Sequence, residues 1–189
     1  MTSRRDGPRG ARSPRTAELT QYVERSYELI PLNRWDAVDR RRKRVRQLGK
    51  APVDAGWRTR AYSNEQVLRQ ARAGSNVGVR LRPTDLVLDV DPRNFPEGRN
   101  VLDDFALEVG LDLDSFPLVC TGSGGFHYYM TKPADVALVD SLEDFPGVEF
   151  KSVGRQVVAA GSVHPNGVHY RWDDFAPPLS SVPPAPRSE

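Results

Sequence analysis

A chain of 189 residues, 28% of them charged, is long enough for one buried core and holds no apolar run near the roughly 18 residues a bilayer span needs. Its single cysteine excludes an intramolecular disulfide and fits a reducing cytoplasm, and with only three histidines it argues against a structural zinc site. The net charge of +2 hides an imbalance: residues 1–60 hold 16 Lys and Arg against 7 Asp and Glu, the remainder 11 against 18, which suggests either nucleic-acid contact or a basic arm that only aids solubility.

The Arg-, Pro- and Gly-rich start, residues 1–15, has the composition of a disordered basic arm and lacks the apolar centre of a signal peptide. A helix is predicted from Thr16 to about Tyr27, then a short strand over Glu28–Leu32. Asn33–Gln47 contains the densest positive cluster, Arg40, Arg41, Arg42, Lys43 and Arg44, on a loop or on a helix face. Asn64–Ala73 has helical spacing with Ser63 as its cap. From Ser75 onward strands dominate, over Asn76–Leu81, Leu86–Val90, Leu118–Thr121, Phe126–Lys132, Val148–Ser152, Gln156–Ala160 and Val168–Trp172, with a helix over Leu102–Val109. Pro and Ser make residues 177–189 an extended tail, which leaves 16–176 as one folded domain. The mixture predicts an α/β or α+β domain with a largely antiparallel second half.

Three segments carry chemistry. In Leu86-Val87-Leu88-Asp89-Val90-Asp91, strand alternation puts Asp89 and Asp91 on one face and Leu88 and Val90 on the other. Two carboxylates about 7 Å apart suit a hard cation such as Mg²⁺ between them; the other reading is a strand running into the Asp91-Pro92 turn. Glu149, between Val148 and Phe150, either adds a third carboxylate from a neighbouring strand or forms a solvent-facing pair with Lys151. The turn Thr121-Gly122-Ser123-Gly124-Gly125-Phe126-His127 is either a glycine-rich hairpin or an anion-binding nest, with His127 placed to donate to phosphate. It fits neither a P-loop nor a dinucleotide fingerprint. His164, just before the Asn166-Gly167 turn, is placed to face the site; His169 is expected outside it, and Trp172 in the core.

In order and spacing these segments, with Leu29-Ile30-Pro31-Leu32, Gly49-Lys50-Ala51-Pro52, Gly56-Trp57 and Asn76-Val77-Gly78-Val79, resemble the bifunctional primase-polymerase (prim-pol) family of the archaeo-eukaryotic primase superfamily, over roughly residues 27–172. The resemblance implies an α+β primase fold. In it an N-terminal α/β unit packs on a C-terminal, mostly antiparallel sheet like that of RNA-recognition domains, with the active site in the cleft between. It implies that Asp89, Asp91 and Glu149 bind catalytic Mg²⁺ or Mn²⁺ and that His127 contacts the triphosphate. Ser123, Gly124, Gly125, Lys151, Arg155 and His164 would help to bind the nucleotide. Arg40–Arg44 and the basic arm would attract single-stranded DNA template. Relatives often have Asp at the position of Glu149, a second Gly where Arg155 stands, and a more Pro-rich version of Ala160-Gly161. The activity implied is template-dependent joining of dNTPs or NTPs to a 3′-hydroxyl by two-metal catalysis, in phage or mobile-element replication. It would act in the cytoplasm or nucleoid of a bacterial host, away from membranes, beside a separate helicase. Two other readings remain: a non-catalytic single-stranded-DNA-binding initiation module, and a nickase using Tyr128 or Tyr129, which the lack of a His-hydrophobic-His pair disfavours.

Overall fold

The computed structural model describes residues 14–40 and 46–186. Residues 1–13 of the expected basic arm, residues 41–45 with Arg41, Arg42, Lys43 and Arg44, and the last three residues lie outside them, whereas Pro14 and Arg15, expected in the arm, open the first helix. In chain order the first elements are α1 (Pro14–Glu24), β1 (Glu28–Arg34), β2 (Val38–Asp39), β3 (Arg46–Gln47), α2 (Asn64–Arg72), β4 (Ser75–Arg80) and β5 (Asp85–Val90). There follow α3 (Val101–Val109), β6 (Leu118–Cys120), β7 (Phe126–Thr131), β8 (Val148–Lys151), β9 (Gln156–Val158) and β10 (Arg171–Trp172).

These form a mixed α/β fold with three helices among the described residues and antiparallel sheets. A three-stranded sheet has the order β1-β4-β9, and a five-stranded sheet the order β10-β6-β7-β5-β8. β2 and β3 form a separate short pair, so the Asn33–Gln47 stretch is strand and loop where described, and Arg40 sits exposed just past β2. The turn at Arg82–Asp85 carries the chain from one sheet into the other, and Ser152–Arg155 carries it back. β4 therefore pairs with β9 in one sheet while β5 pairs with β8 in the other. That corner is fastened by Arg82, which binds Asp85 through its guanidinium and its backbone amide, and by the Ser152 hydroxyl donating to Asp85 O at 2.7 Å.

Period-two alternation decides what each face of the large sheet meets. Val87, Val119 and Tyr129 face the small sheet, α1 and α2; Leu86, Leu88, Val90, Met130 and Val148 face α3. Burying each such side chain contributes about 1.5–3 kcal/mol. The inner core has a polar seam: the Tyr22 and Tyr129 hydroxyls lie 3.0 Å apart, and Tyr22 also accepts from the Ala160 amide at 3.1 Å. Trp172 packs against this core, as expected, with its indole N–H on Glu18 O at 3.0 Å.

Helix ends follow local chemistry. Ser63 Oγ accepts from the Gln66 amide at 3.2 Å and starts α2. Gly110, at φ +66°, ends α3 in the left-handed region. α1 stops before Tyr27 because Ser26 turns left-handed at φ +55°. The strand predicted over Val168–Trp172 is ordered as β10 only at its end. Residues 177–186, expected as an extended tail, are extended except for a single 3-10 turn over Leu179–Ser181, and they do not hang free: Leu179 is fully buried in the inner core, and Pro184 bridges to Thr131. The prolines that flank this turn keep it from growing into a longer helix and leave the interspersed Leu179 free to bury its apolar surface.

Candidate functional site

A polar cleft of about 270 Å³ opens between the two sheets. The large sheet contributes Asp89, His127, Glu149 and Lys151, and the small sheet contributes Gln156, Val157 and Val158. Register makes this arrangement: Asp89 on β5 lies opposite His127 on β7 and opposite Glu149 on β8. The three side chains stand in one row across three strands, on the inward face beyond the end of the inner core. Asp91 lies one step past β5, where its amide donates to Gly147 O at 2.7 Å. Gly147 is at φ +87°, and a Cβ there would meet Asp91 O at 2.7 Å, so only glycine lets β8 start this close to Asp91.

Each carboxylate has a cationic neighbour. Arg93 holds Asp91 with two guanidinium bonds, 2.8 Å from Nε and 2.6 Å from Nη2, and keeps its pKa below the usual carboxylate range. Lys151 Nζ pairs with Glu149 and lies 3.9 Å from Asp89 Oδ2. His127 Nε2 is 3.5 Å from Asp89 Oδ1. Burial pushes the His127 pKa down; Asp89 opposes this and Lys50 and Lys151 add to it, so the ring is neutral near pH 7. Its Nδ1 is buried without a hydrogen-bond partner, a polar atom left over in the cleft wall.

The cleft residues that were not expected from sequence include Lys50, Arg93 and Tyr170. Lys50 is delivered by a loop pinned through Asn76, whose Nδ2 donates to Gly49 O at 2.9 Å. Surrounding protein lowers the Lys50 pKa against the pull of Asp89 and Asp91. The Tyr170 ring lies 6.0 Å from His127, and burial raises its phenol pKa. The Lys50 motif was visible in the sequence as Gly49-Lys50-Ala51-Pro52; nothing local marked Arg93 or Tyr170.

The other expected residues divide. Ser123 lines the cleft together with Thr121. Gly124 and Gly125 do not, and their amides donate within the turn, to Thr121 O at 3.1 Å and Thr121 Oγ1 at 3.0 Å. That is the geometry of a self-satisfied turn; Gly125 is required because a Cβ there would run into Val90 O. Arg155 points away to pair with Asp140, and His164 packs behind Gly122 with Nδ1 accepting from the Asn166 amide at 3.2 Å. His169 is exposed. Tyr129 is fully buried in the inner core, and Tyr128 is buried on the outer face with its pKa raised to about 12, so neither is presented as a nucleophile.

Among the described residues, no three His, Cys, Asp or Glu side chains stand close enough to share a metal ion. Asp91 is turned to Arg93 and Glu149 to Lys151, so the carboxylates expected to converge hold cations of the protein instead. Three carboxylates opening into one polar cleft are nonetheless hard oxygen donors, the ligand type a divalent cation such as Mg²⁺ takes.

Fold and cleft together define a mixed α/β domain with a polar, charge-lined cleft between its two sheets. The chain belongs to the Prim-Pol family, the N-terminal domain of bifunctional DNA primase/polymerases, which matches residues 19–188. No curated protein matches it. Among the described residues no helix is long and apolar enough to cross a membrane.

Proposed function

We propose that the cleft binds a nucleoside triphosphate and transfers its nucleotidyl group to a 3′-hydroxyl on a single-stranded DNA template, as the archaeo-eukaryotic primases do. The observation that carries this reading is the row His127–Asp89–Glu149 across three paired strands, with Asp91 beside it. Mg²⁺ or Mn²⁺ held by Asp89, Asp91 and Glu149 would supply activation of the attacking hydroxyl and neutralisation of the pyrophosphate charge. Arg93 and Lys151, released from the carboxylates, would turn to phosphate oxygens, and Lys50 would add a third cation. Neutral His127 donates from one ring nitrogen to a phosphate oxygen without adding charge. Ser123 and Thr121 offer hydroxyls along the glycine turn. Tyr170 closes the wall beside His127 and restricts the space left for the sugar or base.

On this reading the large sheet plays the part of the unit like RNA-recognition domains. Arg40 and the neighbouring basic residues attract template phosphates, which makes affinity fall with salt. The setting would be phage or mobile-element replication in a bacterial cytoplasm, with strand opening by a separate helicase. A second reading, a non-catalytic single-stranded-DNA-binding module, draws support from the carboxylates being tied to Arg93 and Lys151.

The test is incorporation of labelled nucleotide on a single-stranded template with Mn²⁺ or Mg²⁺, with and without primer, and with dNTPs and NTPs separately. Template-dependent product supports the reading. DNA binding without incorporation under all these conditions would replace it with the non-catalytic one.

A further inference from the structure

The face of the large sheet turned away from the cleft carries a second concavity, of about 800 Å³. Its floor is Leu86 and Leu88 of β5, Met130 of β7 and Phe150 of β8. One wall is α3 with its C-terminal turn, and the other is made by Leu138 and Leu142 together with Ala185 and Pro186 of the chain's own C-terminal segment, held there by the Ala185 amide donating to Thr131 O at 2.8 Å. The lips are apolar and face water: Leu107 is 85% exposed, and Leu138 and Leu142 are 41% and 39% exposed. Large apolar side chains gathered this way mark a binding surface more often than a bare one.

Charge narrows the occupant. Asp104 and Glu108 stand on the α3 wall, and Asp135, Asp140, Glu143 and Asp144 on the other, all exposed. Arg99 offsets Asp104 and Arg155 offsets Asp140. Lys132 is turned inward, donating to Pro133 O at 3.1 Å and Val136 O at 2.6 Å. Among the described residues, the elements that wall the groove therefore carry a net negative charge around an apolar floor. A partner strand is disfavoured, because the outer edge of β8 is already covered: Ser141 bridges to Glu149, and the Phe150 amide donates to Asp140 O at 2.8 Å.

We infer that this groove docks a basic amphipathic helix of a partner protein, its apolar stripe on Leu88, Phe150 and the Leu107–Leu142 lips and its Lys or Arg flanks against the rim carboxylates. The groove uses the residues that alternate away from Asp89, so the helix sits on the opposite face of the sheet and leaves the cleft open. The inference stands independently of the reaction proposed above.

The probe is a labelled synthetic peptide with Leu at i, i+3, i+4 and i+7 and Lys on the flanks, titrated onto the whole chain. Expected is saturable binding whose backbone NMR shifts cluster on α3 and the 133–145 segment. A scrambled peptide of the same composition and a Glu-for-Lys version should each bind at least about tenfold more weakly. Leu107→Asp and Leu142→Asp, both at exposed positions, should weaken binding to a similar extent with an unchanged melting temperature. Equal affinity for the scrambled peptide, shifts confined to the cleft, or no binding would overturn the inference. So would a wild-type dimer that Leu107→Asp dissolves, since a second copy would then be the occupant.

Discussion

The two faces of the five-stranded sheet carry opposite chemistry on the same strands. On the inward face, β5, β7 and β8 end in Asp89, His127 and Glu149, interleaved with Lys50, Arg93 and Lys151. On the outward face the same strands present Leu88, Met130 and Phe150 to α3 and the apolar groove. A single strand thus serves a charged site and an apolar surface because its side chains alternate every residue. A one-residue register slip would exchange the two and destroy both.

The largest effect that would break this contrast concerns packing. Leu88→Ala should cost about 2–5 kcal/mol in urea unfolding because Leu88 is buried. Leu107→Ala, on the same side of the sheet but 85% exposed, should stay within about 0.5 kcal/mol. Equal losses would contradict the assignment of faces. Next in size, Arg93→Ala should raise the KM for nucleotide by about tenfold with a smaller change in kcat, since Arg93 is assigned to the phosphates. A fall in kcat alone would place its role elsewhere.

A smaller effect is pH dependence from His127. Its pKa is pushed below the ordinary 6.5 by burial, so the unfolded chain takes up the proton first. This contribution to stability is present above pH 6.5 and is lost as pH falls below it. The urea midpoint should therefore drop between about pH 7.5 and pH 5.5, and His127→Gln should flatten that drop. An unchanged slope in the variant would mean that other groups set it.

Much of the architecture was legible in the sequence because alternation and caps are local signals. Asp89 and Asp91 sharing a face against Leu88 and Val90, the Ser63 cap, and the strand carrying Glu149 all follow from spacing alone. Register was not local. Nothing in the sequence says that His127 and Glu149 flank Asp89 on either side, since that depends on pairing strands nearly 40 and 60 residues from it. The cleft positions of Lys50 and Tyr170 were hidden for the same reason, since a loop and a late segment are brought together only by tertiary folding; Arg93, two residues past Asp91, is a local neighbour whose composition alone gave no sign of a role. Gly124 and Gly125 misled in the other direction, because a turn that bonds its own amides and one that leaves them for an anion share the same composition. The Pro-rich end reads as a tail, and only the burial of Leu179 shows that it closes the inner core.

The central claim is that Asp89 and Asp91 form a working acidic pair. It is tested most directly by primer extension with Mn²⁺, comparing the wild type with Asp89→Ala/Asp91→Ala at matched melting temperature. The account predicts template-dependent extension by the wild type and a loss of about 100-fold or more in the variant. Wild-type-like synthesis by the variant would contradict it.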